Sequence, residues 1–506
     1  MSFNLNRFLQ RKEGYILLIV ALLAFFYYHN TSTSSEYNNL KDYYQQTLSW
    51  DTCYDNFECT ELDVPIDYEK ISTGTFKISV LRYAAQDQSR RIGSLVVNPG
   101  GPGASGVDYA YNAEYIFDPD LTDRYDIVGF DPRGVSRSAP ITCYNDQETD
   151  ANYASDSKPD NAAEYRNAML ESKKFIQKCF NKNEHLTAFS TANAARDMDI
   201  LRAALGESRL NYMGKSYGTY MGALYATLFP NNIGRVILDG AVDPTISSLE
   251  QTKTQAVGFD NALQAFIKDC ISLSSCPLPR NQAAATETLL KLWQSAAENP
   301  LPLKNKDDRR TVTESLLVLG TASALYDSGE GWPDLRKAIK EALNGYGDSY
   351  IELADLYTGR QKDGQYPNNE FDSGAIIDCL DFPEKRTPQQ IRKDAQEVAQ
   401  VAPVFGPYIA YSGLTCKYFP TPAPTQVKKT TTNATIVIIG TTSHTISSFP
   451  VVVVGGGDHV GEVAIGFGED PLLGDVDGGS FPCAGRNFGE GTEGAGDGGS
   501  GRQIGR

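Results

Sequence analysis

The chain has 506 residues, of which 41% are hydrophobic and 22% charged. That composition is globular rather than disordered, and the length allows more than one compact unit. A formal net charge of −17 excludes the basic footprint of a nucleic-acid binder. The acidity reads as solubility; the alternative is a field that favours cationic substrates such as peptides with a free amino terminus.

Arg7, Arg11 and Lys12 precede an apolar run over 15–28. The run is short for a spanning helix, which needs about 20 residues, and fits the apolar region of a signal peptide. The bulky Phe25-Phe26-Tyr27-Tyr28 offers no small-residue cleavage site, so an uncleaved signal anchor is favoured over a cleaved peptide. Either device exports the remainder and leaves the membrane touched through this segment alone. The expected organisation is a signal segment over 1–30, a polar tether over 31–50 and a first α/β core over 51–245. A helical cap over 246–400, a second core piece over 401–443 and a Gly-rich tail over 444–506, without packed structure, complete it.

Nine cysteines support an oxidising compartment. Cys53/Cys59 and Cys270/Cys276 are close in sequence, Cys143/Cys179 and Cys379/Cys416 are plausible longer pairs, and Cys483 is left over. None has the paired spacing of a zinc site. No metal and no cofactor are expected.

In chain order, 93–98 (GSLVVN) reads as a buried strand and 125–131 (YDIVGFD) as another. Residues 194–205 carry helical periodicity, with Ser190 or Thr191 as N-cap and Gly206 as the stop. A short strand over 209–213, a helix over 217–229 ended by Pro230, and a strand over 233–238 follow. This alternation predicts a mostly parallel sheet covered on both faces. Between about 246 and 400 it gives way to helices, such as 282–297 and 333–344. A strand-like run over 434–439 resumes the sheet.

Gly214-Lys215-Ser216-Tyr217-Gly218 stands between the strand RLNYM and the helix YGTYMGALYATLF. That strand–turn–helix setting is the one a G-x-S-x-G nucleophile elbow requires. Ser216 is therefore the expected nucleophile. The loop 98–106 (NPGGPGASG) follows the first buried strand. The N–H groups of Gly101 and Tyr217 are the candidate oxyanion donors. The loop lacks both the Lys-Ser/Thr of a phosphate-binding loop and a clean G-x-G-x-x-G. Asp131-Pro132-Arg133 is read as a brace for the elbow region rather than as catalytic.

Taken together, VNPGGPGASG (97–106), YDIVGFDPRGVSRSAPITC (125–143) and the segment 194–240 resemble the tripeptidyl aminopeptidase branch of the proline iminopeptidase-like α/β hydrolases. AIIDCLDFP (375–383) and CKYFP (416–420) look like that family's C-terminal region. The resemblance implies an α/β-hydrolase fold with an inserted helical cap and a Ser-His-Asp triad. It also implies an exported exopeptidase that takes short peptides from free N-termini. A cap carboxylate, Glu370 or Asp372, would hold the substrate's amino group; the plainer reading of each is a solvated loop residue.

The sequence departs from that family after Gly440. The orienting acid and following helix that the family places there are missing. Residues 440–506 hold 19 of the 45 glycines, and from His444 onward there is neither Lys nor Tyr. A reading-frame shift near codon 443 is the favoured explanation, a natural Gly-rich extension its rival. Of four histidines, His459 is the base candidate. His29 sits at the membrane edge, His185 precedes the helix 194–205, and His444 stands near the missing acid's place. Asp239 is a candidate acid, with a structural role favoured. Three functions follow: an active tripeptide-releasing exopeptidase, a carboxylesterase of the same fold, or a homologue that keeps the elbow but has lost base and acid.

Overall fold

The computed structural model describes residues 37–420, 424–428 and 430–440, together with the backbone of 452–454 and 462–463. The N-terminal segment 1–30, His444, His459 and nearly all of the Gly-rich tail lie outside the described residues.

The centre is a nine-stranded sheet. Its strands are β1 (Asp51–Cys53), β2 (Phe57–Pro65), β3 (Thr75–Tyr83), β4 (Gly93–Asn98), β5 (Tyr125–Phe130), β6 (Leu210–Lys215), β7 (Ile233–Asp239), β8 (Thr435–Ile439) and β9 (Val452–Val454). The spatial order is β1-β2-β3-β5-β4-β6-β7-β8-β9. The five strands from β5 to β8 are mutually parallel. At one edge β1, β2 and β3 join antiparallel. β4 is buried at all six positions, as its unbroken apolar run demands of a strand covered on both faces.

Helices α1 (Thr191–Ala204) and α2 (Tyr217–Leu228) pack on each other and bury Met198, Leu201, Met221 and Leu224. Ser190 caps α1 by accepting from the Asn193 N–H, and Gly206 (φ 75°) closes it in the left-handed region. Both signals were legible in the sequence.

Between β7 and β8 the chain is almost entirely helical. α3 (Ser248–Ser272), α4 (Gln282–Glu298), α5 (Glu314–Leu325), α6 (Gly331–Leu343) and α7 (Asp348–Thr358) bury a core of their own around Phe266, Trp293 and Leu335. α8 (Glu370–Asp381) and α9 (Pro388–Val401) follow. α8 leans back onto the sheet layer: a Cβ on Gly374 would stand 2.6 Å from the Pro102 carbonyl oxygen, so only glycine permits this approach. Four disulfides join Cys53–Cys59, Cys143–Cys179, Cys270–Cys276 and Cys379–Cys416, the pairs the sequence suggested. Among the described residues no helix is long and apolar enough to cross a membrane.

The far edge of the sheet is antiparallel. β9 pairs antiparallel with β8, Val452 opposite Ile438 and Val454 opposite Ile436. The dozen residues between them are too few for a right-handed crossover through a helix. β8 ends at the sheet edge that carries Ser216, since Ile439 is level with Asp239 and Asp239 with Lys215. β9 begins at that edge and runs away from it.

Candidate active site

β6 delivers the chain into the elbow and α2 takes it away. Ser216 sits between them at φ 50°, ψ −122°, a strained conformation for a residue with a side chain. Hydrogen bonds on both sides hold it there. Its N–H donates to the Asp239 carbonyl at 2.8 Å. Its carbonyl accepts from the Thr219 N–H at 2.8 Å and from Thr219 Oγ1 at 2.6 Å. Thr219 Oγ1 in turn accepts from the Val242 N–H at 2.9 Å. The glycines of the motif are needed for space: a Cβ on Gly214 would lie 2.4 Å from the Gly218 carbonyl, and one on Gly218 2.7 Å from Asn98 Oδ1.

The loop after β4 meets the elbow from the neighbouring strand. Gly101, Ser216 and Tyr217 line one cavity of about 150 Å³, so the structure brings the nucleophile and both proposed oxyanion donors together. Tyr217 opens α2, where backbone N–H groups have no helical acceptor. Neither its N–H nor that of Gly101 meets an acceptor among the described residues. Larger cavities of about 800, 900, 190 and 260 Å³ lie elsewhere. The first is lined by carboxylates and guanidinium groups already paired, Arg310 with Asp355 at 2.6 Å and Arg360 with Asp150 at 2.7 Å.

Asp131 and Arg133 brace this arrangement. The fully buried Asp131 accepts from Ser105 Oγ at 2.5 Å, from the Val107 N–H at 3.2 Å and from Arg137 Nη1 at 3.2 Å. It thereby ties the end of the Gly-rich loop to β5. Arg133, 0% exposed, makes two bonds to Asp197 of α1, at 2.7 and 2.5 Å. It also donates to the carbonyls of Pro65, Ile66 and Ala188. All of these contacts are internal.

Of the two cap carboxylates, neither is a solvated loop residue; both stand in the first turn of α8. Asp372 is buried, and its Oδ2 accepts from the N–H groups of Cys143 and Tyr144, at 2.5 and 3.1 Å. Its charge is committed to the backbone, which removes it from amine binding. Glu370 is half-buried with no donor on its carboxylate among the described residues, and burial pushes its pKa upward. It lies close enough to Tyr153, Tyr326 and Tyr357 to raise their pKa values as well.

Sequence reasoning missed the last turn of α8. Asp378 lines the Ser216 cavity, and Asp381 lies buried beneath it. The Tyr217 hydroxyl meets Thr191 Oγ1, which donates to Asp381. Burial pushes the carboxyl group of Asp381 up to about 7. Two acids three residues apart in the apolar stretch AIIDCLDF were the available signal. Asp239 contributes its carbonyl to the elbow, as noted. The described residues place no histidine at Ser216: His185 is exposed on the loop before α1 and does not line the cavity. His459 lies outside the described residues. Among them, no group of three or more His, Cys, Asp or Glu is placed to hold a metal.

A strained serine between a parallel strand and a helix, facing a glycine loop from the adjacent strand, defines a hydrolase built on a nucleophile elbow. Residues 93–321 match the family model described as alpha/beta hydrolase fold. The chain is similar to the serine protease Hip1 of Mycobacterium tuberculosis (strain ATCC 25618 / H37Rv), 35% identical over 382 residues that cover 73% of this chain and 72% of that protein. It is 34% identical over 395 residues, 74% of each chain, to Carboxylesterase B of the same strain. To the tripeptidyl aminopeptidase of Streptomyces lividans it is 35% identical over 269 residues, 50% of each chain. The chain belongs to the α/β-hydrolase family and is a serine hydrolase.

Proposed function

We propose that this serine hydrolase is an exported exopeptidase that releases short peptides, tripeptides in the first instance, from free N-termini. The observation that carries the reading is the cavity shared by Ser216, Gly101 and Tyr217. Ser216 Oγ attacks the scissile carbonyl while a base takes its proton. The N–H groups of Gly101 and Tyr217 hold the oxyanion, and the intermediate collapses to an acyl-enzyme as the protonated base gives its proton to the leaving amine. Water then releases the acyl peptide by the reverse proton path. His459 is the base in this reading. Glu370, desolvated and unpaired on α8, is the carboxylate for the substrate's amino group, and a salt bridge formed there would draw its raised pKa back down. The similarity to a tripeptidyl aminopeptidase and a serine protease supports peptide substrates, and the four disulfides support folding in an oxidising compartment. The N-terminal segment serves export as a signal peptide or anchor.

A second reading rests on the sheet edge: a homologue with an intact elbow and no working base. β9 runs away from the Ser216 edge, and no described histidine reaches the cavity. A fluorophosphonate probe on the folded full-length chain separates the two. Labelling of Ser216 with hydrolysis of a free-N-terminal tripeptide anilide is expected for the exopeptidase. Labelling with cleavage of a simple ester alone points to a carboxylesterase. An unlabelled Ser216 leaves only the second reading.

A further inference from the structure

One wall of the Ser216 cavity carries a carboxylate that the reaction does not use. Asp378 stands in the last turn of α8, exposed, with its side chain lining the cavity. No donor among the described residues meets its carboxylate. The second carboxylate of the cavity, Asp243, is buried and already engaged, accepting at Oδ1 from the Thr245 N–H and hydroxyl at 2.8 and 2.7 Å. No Lys or Arg lines the cavity. A cavity with an unpaired carboxylate on its wall and no cationic side chain in its lining has a negative potential, and a substrate cation complements it. The surrounding wall suits one carried on an apolar stem: the rings of Tyr220 and Phe382 stand 5.1 Å apart beside it.

We propose that Asp378 is a specificity site that binds the ammonium or guanidinium group of the acyl portion of the substrate, in the same cavity where Ser216 attacks. This rests on Ser216 being the nucleophile but not on its being activated. The cation has two possible sources, a Lys or Arg side chain on the residue whose carbonyl is attacked, or the free amino terminus of a very short acyl group. The cavity volume of about 150 Å³ matches one residue beside the nucleophile, which favours the side chain.

The test uses the full chain carrying Ser216→Ala, so that binding is read without turnover. Affinities of Ala-Ala-Lys amide and Ala-Ala-norleucine amide, each with a free and with an acetylated N-terminus, are measured by calorimetry. Norleucine keeps the stem and removes only the ammonium. Lysine is expected to bind about ten- to hundredfold more tightly, the usual range for a charge-assisted hydrogen bond. The preference is expected to survive acetylation and to vanish when Asp378→Asn is added. A preference for the free over the acetylated N-terminus that vanishes with Asp378→Asn also upholds the site, with the amino terminus as its ligand. Equal binding of all four peptides overturns the proposal, as does discrimination that persists in both Asp378→Asn and Asp378→Ser. The second variant covers a failure of the first to fold. Fluorophosphonate labelling of the wild-type serine, run alongside, reports separately on the hydrolase reading.

Discussion

The two flanks of β7 are built on different terms. On one side the elbow is held by the Asp239 carbonyl, by Thr219 and by the glycine loop after β4, which Asp131 in turn ties to β5. On the other side β8 is joined by a three-residue antiparallel strand, and its end meets the cavity wall through the Ile439 carbonyl, which accepts from the N–H groups of Gly240 and Ala241. The difference teaches that positioning a nucleophile and activating it are separable tasks. The first depends on β4 to β7 and the helices they carry. In the proposed exopeptidase, with His459 as base, the second depends on chain beyond Gly440.

The largest expected effect sharpens this contrast. In the proposed exopeptidase, His459→Ala lowers kcat by about 10⁴-fold or more, as removal of a triad base does elsewhere. Single-turnover hydrolysis of a tripeptide anilide measures it, and an unchanged rate would hand the base role to another group or establish the impaired homologue. Next is the brace. Arg133→Ala strands a buried carboxylate on Asp197 and is expected to cost about 3–5 kcal/mol in urea unfolding. A loss below 1 kcal/mol would mean that water or Tyr68 already compensates the Asp197 carboxylate.

A smaller effect has the opposite sign. Ser216→Gly removes a side chain from the left-handed region, and should stabilise the fold by about 1 kcal/mol while abolishing labelling. Destabilisation would show that the elbow's strain is relieved by contacts of the serine side chain. The smallest concerns pH. Asp381, buried in the last turn of α8, is pushed by burial to about 7 from an ordinary 3.8, so between those values the folded state holds a proton that the unfolded state has lost. Its contribution to stability is therefore complete below about pH 4 and is lost as pH rises through 7. Asp381→Asn should thus flatten the fall in thermal midpoint between pH 4 and 7.5; an unaltered slope would mean that the hydrogen bonds from Thr191 keep the carboxylate ionised.

What was legible in the sequence follows the same division. The strand 93–98, the elbow and helix α2 were readable because their signals are local: an unbroken apolar run, a glycine-framed serine, a helical period ended by Pro230. Ser216, Gly101 and Tyr217 could therefore be brought together before any coordinates. The antiparallel strands β1 and β2 were not read, since a disulfide turn and half-exposed positions break their alternation. Asp378 escaped because its importance comes from contact with segments far along the chain. An acid in AIIDCLDF reveals its surroundings only when Thr191, Tyr217 and Tyr220 are placed against it. Asp372 looked available for the same reason: the backbone N–H groups that occupy it lie more than 200 residues earlier.

Helix α8 joins these matters in one rod. It touches the glycine loop at Gly374, carries Asp378 on the wall of the Ser216 cavity, and is fastened at Cys379 to Cys416. The disulfide adds a covalent tie to a helix already held by the Asp372 hydrogen bonds and by the close approach at Gly374, so the wall of the cavity is drawn tightest in an oxidising compartment. Mild reductant should accordingly erode peptide binding at doses that leave the sheet core folded.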